Sequence, residues 1–133
     1  MPTDFHTLTL PTDPTVKAPD GSDVRVLLEL AGGGMAHFEL AAGQTARAVV
    51  HRTVEEIWYV TAGRGEMWRR SGEREELTEL KPGVCLTIPL GTHFQFRAPD
   101  NQSVSVIAIT MPPWPGADEA VWVPGPWTPS VPG

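Results

Sequence analysis

Glycine and proline punctuate this sequence from end to end, and the runs left between them alternate apolar and polar residues rather than cycling at helical spacing. With 13 Gly and 14 Pro in 133 residues, these two types make up about a fifth of the chain against about an eighth in ordinary proteins. The intervening runs, such as VRVLLEL, EEIWYVT, VCLTIP, HFQFR and SVSVIAITM, are rich in Val, Ile, Thr and aromatic residues. Short strands separated by frequent turns define an all-β sandwich or barrel. No helix is predicted, since even REELTEL, the run with the best helix formers, alternates. The length is that of one domain able to bury a core without a disulfide or a metal.

The net charge of −6, with Lys and Arg scattered singly or in pairs, argues against nucleic acid and anionic membranes as partners, because both need a clustered basic surface. A small-molecule ligand is the expected partner. No apolar run approaches the ~18 residues that cross a bilayer, and the N-terminus lacks the basic and apolar regions of a signal peptide, so a cytoplasmic protein is expected. The single cysteine, Cys85, has no internal disulfide partner and reads as a small buried hydrophobe.

Three segments are expected. Residues 1–22 form an N-terminal arm with an edge strand around Phe5 to Leu10, residues 23–111 form the β-barrel domain, and residues 112–133 form a tail. That tail holds seven of the prolines and three of the five tryptophans. Pro at this density denies it a ladder position, yet three indoles left in water would be a large unburied apolar area. It is therefore predicted to wrap over the barrel or a neighbouring subunit. His37, which alternates with Met35 and Glu39, reads as a surface or inter-strand histidine.

The chemistry concentrates between Gly43 and Gly65. Arg47, Val49 and His51 are two apart and share one face of a strand; Glu56, Trp58 and Val60 share one face of the next. If both faces look into the same interior, an imidazole and a carboxyl stand together over an apolar floor.

These residues resemble the first motif of the cupin superfamily: Gly43, five residues, Val49-Val50-His51, four residues, Glu56, six residues, Gly63. The second motif is matched by Gly83, five residues, Pro89-Leu90-Gly91, two residues and Phe94. The resemblance implies a cupin fold, that is, a double-stranded β-helix or jelly-roll barrel of two antiparallel sheets, and a homodimer. In metal-binding members the positions held here by Val49, His51, Glu56 and Phe94 converge on one Fe, Mn, Ni or Zn ion. Val49 and Phe94 have no donor atom, so the resemblance implies a degenerate metal site with no cofactor. The alternative is a bulge at Gly91-Thr92 that turns His93 inward and restores a divalent-metal set of His51, Glu56 and His93.

Without a metal, the expected site is an imidazole–carboxyl couple, His51 as base and Glu56 as orienter or acid, in a pocket walled by Arg47, Val49, Trp58, Phe94, Phe96 and Phe38. Such a couple moves a proton next to a carbonyl, the chemistry of an isomerase, cyclase or lyase acting on an aromatic or polyketide-like molecule. Two other readings stand beside it: a metal-dependent dioxygenase or lyase, and a non-catalytic binder of a small ligand.

Overall fold

β-branched and aromatic residues at every second position oblige each run to bury one face, and the chain meets that demand with two antiparallel sheets packed face to face. The computed structural model describes residues 4–131; residues 1–3 of the expected arm and 132–133 of the expected tail lie outside the described residues. The strands are β1 (Val16–Lys17), β2 (Asp23–Leu30), β3 (Gly33–Leu40), β4 (Val49–His51), β5 (Glu55–Gly63), β6 (Gly65–Ser71), β7 (Arg74–Leu80), β8 (Cys85–Ile88), β9 (His93–Arg97), β10 (Val104–Met111) and β11 (Ala120–Trp122). A single 3-10 turn, Ala117–Glu119, precedes β11. One sheet has the order β1-β2-β3-β10-β5-β8 and the other β11-β4-β9-β6-β7. The all-β, two-sheet barrel expected from the sequence is the fold observed. No helix among the described residues is long and apolar enough to cross a membrane.

The core lies between the sheets and is graded in side-chain size. Across the first sheet Ala36, Ala108, Trp58 and Leu86 lie side by side in register, so two alanines leave the volume that the indole fills. Trp58 is fully buried and meets Phe38 at 5.7 Å, Phe94 edge-on at 6.0 Å and Phe96 edge-on at 5.0 Å. Full burial of each such side chain stabilises the fold by about 1.5–3 kcal/mol. β5 and β10 keep this row aligned through a register shift between Ser105 and Val106. Gly63, at the end of β5, has φ +80°, and a Cβ there would overlap the Ser103 carbonyl; only glycine fits that position.

The residues after β10 are bound to the second sheet. β11 pairs with β4, with Ala120 opposite His51. Beyond it, the Val123 amide donates to the Ala48 carbonyl (3.0 Å) and the Ser130 amide to the Thr45 carbonyl (3.0 Å). Gln95, nearly fully buried on β9, donates from Nε2 to the Ala46 and Trp127 carbonyls (2.8 Å each) and accepts from the Trp127 amide (3.2 Å). Two indoles receive a guanidinium on their faces: Arg47 lies 4.1 Å from the Trp122 ring centroid and Arg97 lies 4.0 Å from that of Trp127. Val131 ends in the core cluster.

Two local expectations are corrected. Residues 5–10 form no strand, and Phe5, Leu8 and Leu10 are exposed; Pro11 and Pro14 interrupt the run before it reaches the ladder, which begins at Val16. Cys85 is exposed, because Leu86 and Ile88 take the inward positions of β8 and the alternation turns Cys85 and Thr87 outward.

Gly125 marks a close approach of the tail to the barrel, since a Cβ there would stand 2.6 Å from the Ala48 Cβ and closer still to the Gln95 amide. Gly125→Ala is expected to destabilise the protein by about 1–3 kcal/mol and to speed proteolytic cleavage within the tail that follows β10. Urea unfolding and limited proteolysis measure both; an unchanged cleavage rate would show that the tail is held without this contact.

Candidate functional site

One end of the barrel interior opens into a cavity of 1230 Å³. Its walls come from β2, β3, β4, β5, β9 and β10, from the segment around β1, and from the chain after β10. Val49, Phe94 and Phe38 form apolar wall; His51 and Glu56 face in from β4 and β5; Thr110, opposite Glu56 in the ladder, and Trp114 complete this part.

His51 and Glu56 are both buried, and His51 Nδ1 lies 3.6 Å from Glu56 Oε2. That separation is too long for a hydrogen bond, and Nδ1 has no other partner. The imidazole is gripped by two aromatic rings at near right angles, Phe94 at 5.2 Å and Trp114 at 5.1 Å between centroids. The other carboxyl oxygen, Glu56 Oε1, accepts a 2.6 Å hydrogen bond from the Trp58 indole N–H.

Burial dominates the protonation of both groups. It pushes the Glu56 carboxyl up to about 7, against the opposing hydrogen bond from Trp58, with the charges of Asp20 and Glu119 adding to the rise. It pushes the His51 imidazole below its ordinary value, opposed by the Glu119 charge and the Val54 backbone. At acidic pH Glu56 is neutral, and by the time it ionises His51 has already lost its proton. The 3.6 Å contact is therefore not a standing ion pair.

The turn between β4 and β5 carries this couple, and the chain after β10 clamps it. The buried Glu119 carboxylate accepts from the Thr53 amide (2.7 Å), the Thr53 hydroxyl (2.6 Å) and the Val54 amide (2.9 Å). Burial alone would raise its pKa; the Thr53 hydroxyl, the two amides and the His51 charge outweigh burial and lower it. The Arg52 amide donates to the Glu119 carbonyl (2.9 Å) and Arg52 Nε to the Asp118 carbonyl (2.8 Å).

A third acid reaches the cavity from the turn between β1 and β2. Asp20 is 4 % exposed, and burial raises its pKa against the hydrogen bonds from the Ser22 hydroxyl and amide.

Of the residues singled out in the sequence, His51, Glu56, Val49, Phe94 and Phe38 line the cavity together. Trp58 and Phe96 belong to the core layer behind it, Trp58 touching the site only through its bond to Glu56. Arg47 does not share the inward face, because β4 begins only at Val49 and its guanidinium lies under Trp122. His93 is not turned inward: β9 runs in unbroken register with β6 from Arg97 to His93, without the bulge that would rotate it, while Phe94 and Phe96 take the inward positions. The donor set for a transition metal is therefore incomplete. Val49 and Phe94 offer no lone pair, and among the described residues no three His, Cys, Asp or Glu side chains are gathered to hold an ion. Asp20, Trp114 and Glu119 had no sequence signal to distinguish them from a turn aspartate, a tail indole and a tail acid.

A two-sheet antiparallel barrel with polar groups converging at one end of its interior is the architecture of a jelly-roll protein with an internal ligand site. The chain belongs to the cupin family: the family's cupin domain model matches residues 36–110. By sequence, no curated protein matches it. Similar solved structures include the polyketide cyclase RemF from Streptomyces resistomycificus, with 20% identity over 84% of this chain and 80% of that one and a TM-score of 0.64. Pac13, a nucleoside dehydratase from Streptomyces, is 13% identical over 89% of this chain and 92% of that one, with a TM-score of 0.65. A variant of the Bacillus subtilis oxalate decarboxylase is 13% identical over 91% of this chain and 34% of that one, with a TM-score of 0.72. At these identities the likeness is one of fold.

The raised Glu56 value has a consequence for stability. A carboxyl whose folded value of about 7 stands above its unfolded one contributes stability that is complete below the unfolded value and lost as pH rises through 7. Glu56→Gln keeps the acceptor for Trp58 and removes the charge. Its stability relative to the unsubstituted protein is expected to improve by on the order of 3 kcal/mol between pH 5 and pH 8. Urea unfolding at the two pH values tests this; a difference independent of pH would mean that Glu56 is already ionised in the fold at pH 5.

Proposed function

We propose that this cupin is a metal-independent acid–base catalyst, an isomerase, cyclase or lyase, acting on an aromatic or polyketide-like small molecule bound in the barrel. The observation that carries this reading is the buried His51–Glu56 couple, whose partners are held 3.6 Å apart with His51 Nδ1 unsatisfied. A neutral imidazole and a carboxyl that still holds its proton are the forms that base and acid require, and a Glu56 value of about 7 leaves about half of the carboxyls protonated at neutral pH. The imidazole takes the proton from a carbon next to a carbonyl, and the Glu56 carboxyl gives its proton to the carbonyl oxygen. The product is an enol, facing an imidazolium and a carboxylate. Return of a proton to another carbon gives an isomer, loss of a β-hydroxyl as water gives a dehydrated product, and attack of the enol carbon on a second carbonyl closes a ring.

The surroundings support an apolar, flat ligand. Phe38, Val49, Phe94 and Trp114 make a largely hydrocarbon wall, and such a cavity with few converging polar groups is the usual form of a small-molecule site. The same fold serves RemF, a polyketide cyclase, and Pac13, a nucleoside dehydratase. The proposal includes a homodimer in which the apolar arm residues Phe5, Leu8 and Leu10, exposed in the single chain, contact the partner.

Two measurements test the reading. β-Tetralone, an aryl ketone with an acidic CH₂, should exchange that hydrogen for deuterium faster with the protein than without it, as followed by NMR. His51→Ala should reduce the acceleration at least about 100-fold while leaving the circular dichroism spectrum intact. Binding without acceleration, unchanged within about tenfold in His51→Ala, would instead establish a non-catalytic binder. Elemental analysis of protein purified at neutral pH is expected to find Fe, Mn, Ni and Zn below stoichiometric amounts; one bound metal per chain would overturn the metal-independent mechanism.

A further inference from the structure

Asp20 is buried more thoroughly than its position in the sequence requires. It sits in the turn between β1 and β2, where an exposed Asp would cap the backbone equally well, yet it is 4 % exposed and lines the same cavity as His51 and Glu56. Its neighbours there include the hydrocarbon of Val16, Ala18 and Val24. Among the described residues it forms no ion pair; Lys17, the nearest cation in sequence, is bound to Asp23 at 2.7 Å. A carboxyl kept from water without a counter-ion is a cost to the fold.

The turn is nevertheless fastened from several sides. The Arg47 amide donates to the Asp20 carbonyl (2.8 Å), the Trp122 indole to the Pro19 carbonyl (2.9 Å), and Ala18 and Ser22 close the turn on each other (2.9 Å). Asp20 Oδ1 accepts from the Ser22 amide (2.9 Å) and hydroxyl (2.6 Å). These bonds fix the carboxyl and engage one of its two oxygens. Elsewhere in the cavity, His51 Nδ1, on a side chain 5 % exposed, is without a hydrogen-bond partner. The cavity thus holds fixed polar groups from two different parts of the chain, the turn between β1 and β2 and the pair on β4 and β5.

We infer that Asp20 is a second ligand-binding acid of this site, and that the substrate carries at least two oxygen functions on its aromatic frame, one met by His51 and Glu56 and the other by Asp20. This rests on the aromatic-ligand reading above and narrows it to polyoxygenated rings. The proximity of the two acids is consistent with it, since the charge of Asp20 contributes to the raised Glu56 value. A ligand with one oxygen would leave one of the two sets of polar groups unsatisfied, and an unpaired buried polar group discriminates strongly against the poorer partner.

The test is calorimetric titration of a naphthol and of the naphthalenediols that carry one further hydroxyl on the other ring. The unsubstituted protein should bind at least one diol five- to tenfold more tightly than the naphthol. In Asp20→Ala the diol advantage should fall to twofold or less, with naphthol affinity unchanged within twofold. Should that variant fail to fold, Asp20→Asn keeps the acceptor for Ser22, presents an NH₂ that cannot accept a phenol proton, and should show the same loss. A naphthol that binds while no diol gains, or a diol advantage that survives in the variant, overturns the role of Asp20 and leaves the aromatic-ligand reading standing. No binding of either compound to the unsubstituted protein overturns both.

Discussion

Burial of the carboxyl of Glu56, a residue 2 % exposed, is the constraint on which the site depends. Its one strong partner is the Trp58 indole, at 2.6 Å, and one neutral N–H does not replace the water that a carboxylate loses. The carboxyl therefore keeps its proton to about pH 7. The core is arranged around this: Ala36 and Ala108 make room for Trp58, which reaches Glu56 from behind, and Thr110 faces Glu56 across the ladder.

Glu119 shows what the barrel does when it needs the opposite result. It too is buried, but the Thr53 hydroxyl and the Thr53 and Val54 amides all point at it, and its pKa falls. Heavier burial of Glu56 and three donors on Glu119 against one separate the two carboxyls, and the separation divides their roles. The fixed anion clamps the turn between β4 and β5 and lies close enough to oppose the lowering of the His51 value. The group with no such support is the one that can exchange a proton. The chain after β10 is thus part of the site, contributing Trp114 as wall and Glu119 as clamp.

The fold was legible because Gly, Pro and alternation are local signals, and so was the inward face of β4 and β5, since period-two spacing fixes which side chains share a side once the strands exist. The same reasoning failed at Arg47, because spacing cannot say where a strand begins, and β4 begins two residues later. It succeeded in ranking Phe94 above His93 as the inward residue, because an unbulged strand allows only one of two neighbours to point in. Asp20, Trp114 and Glu119 were illegible for a different reason. Asp20 and Trp114 reach the cavity, and Glu119 the turn beside it, through contacts distant in sequence, such as Arg47 to Asp20 and Thr53 to Glu119, and no local pattern encodes these.

Val49 and Phe94 do more than fail as metal ligands. Donor groups at those two positions would bring polar atoms, and a bound ion would bring positive charge, next to Glu56; either would favour its ionised form and lower its pKa. With hydrocarbon there, desolvation prevails and the carboxyl stays protonated into the neutral range. Phe94 also packs edge-on against the His51 ring at 5.2 Å, adding to the burial that keeps the imidazole neutral. The same two residues that leave the donor set incomplete therefore help set the protonation states of the couple that remains.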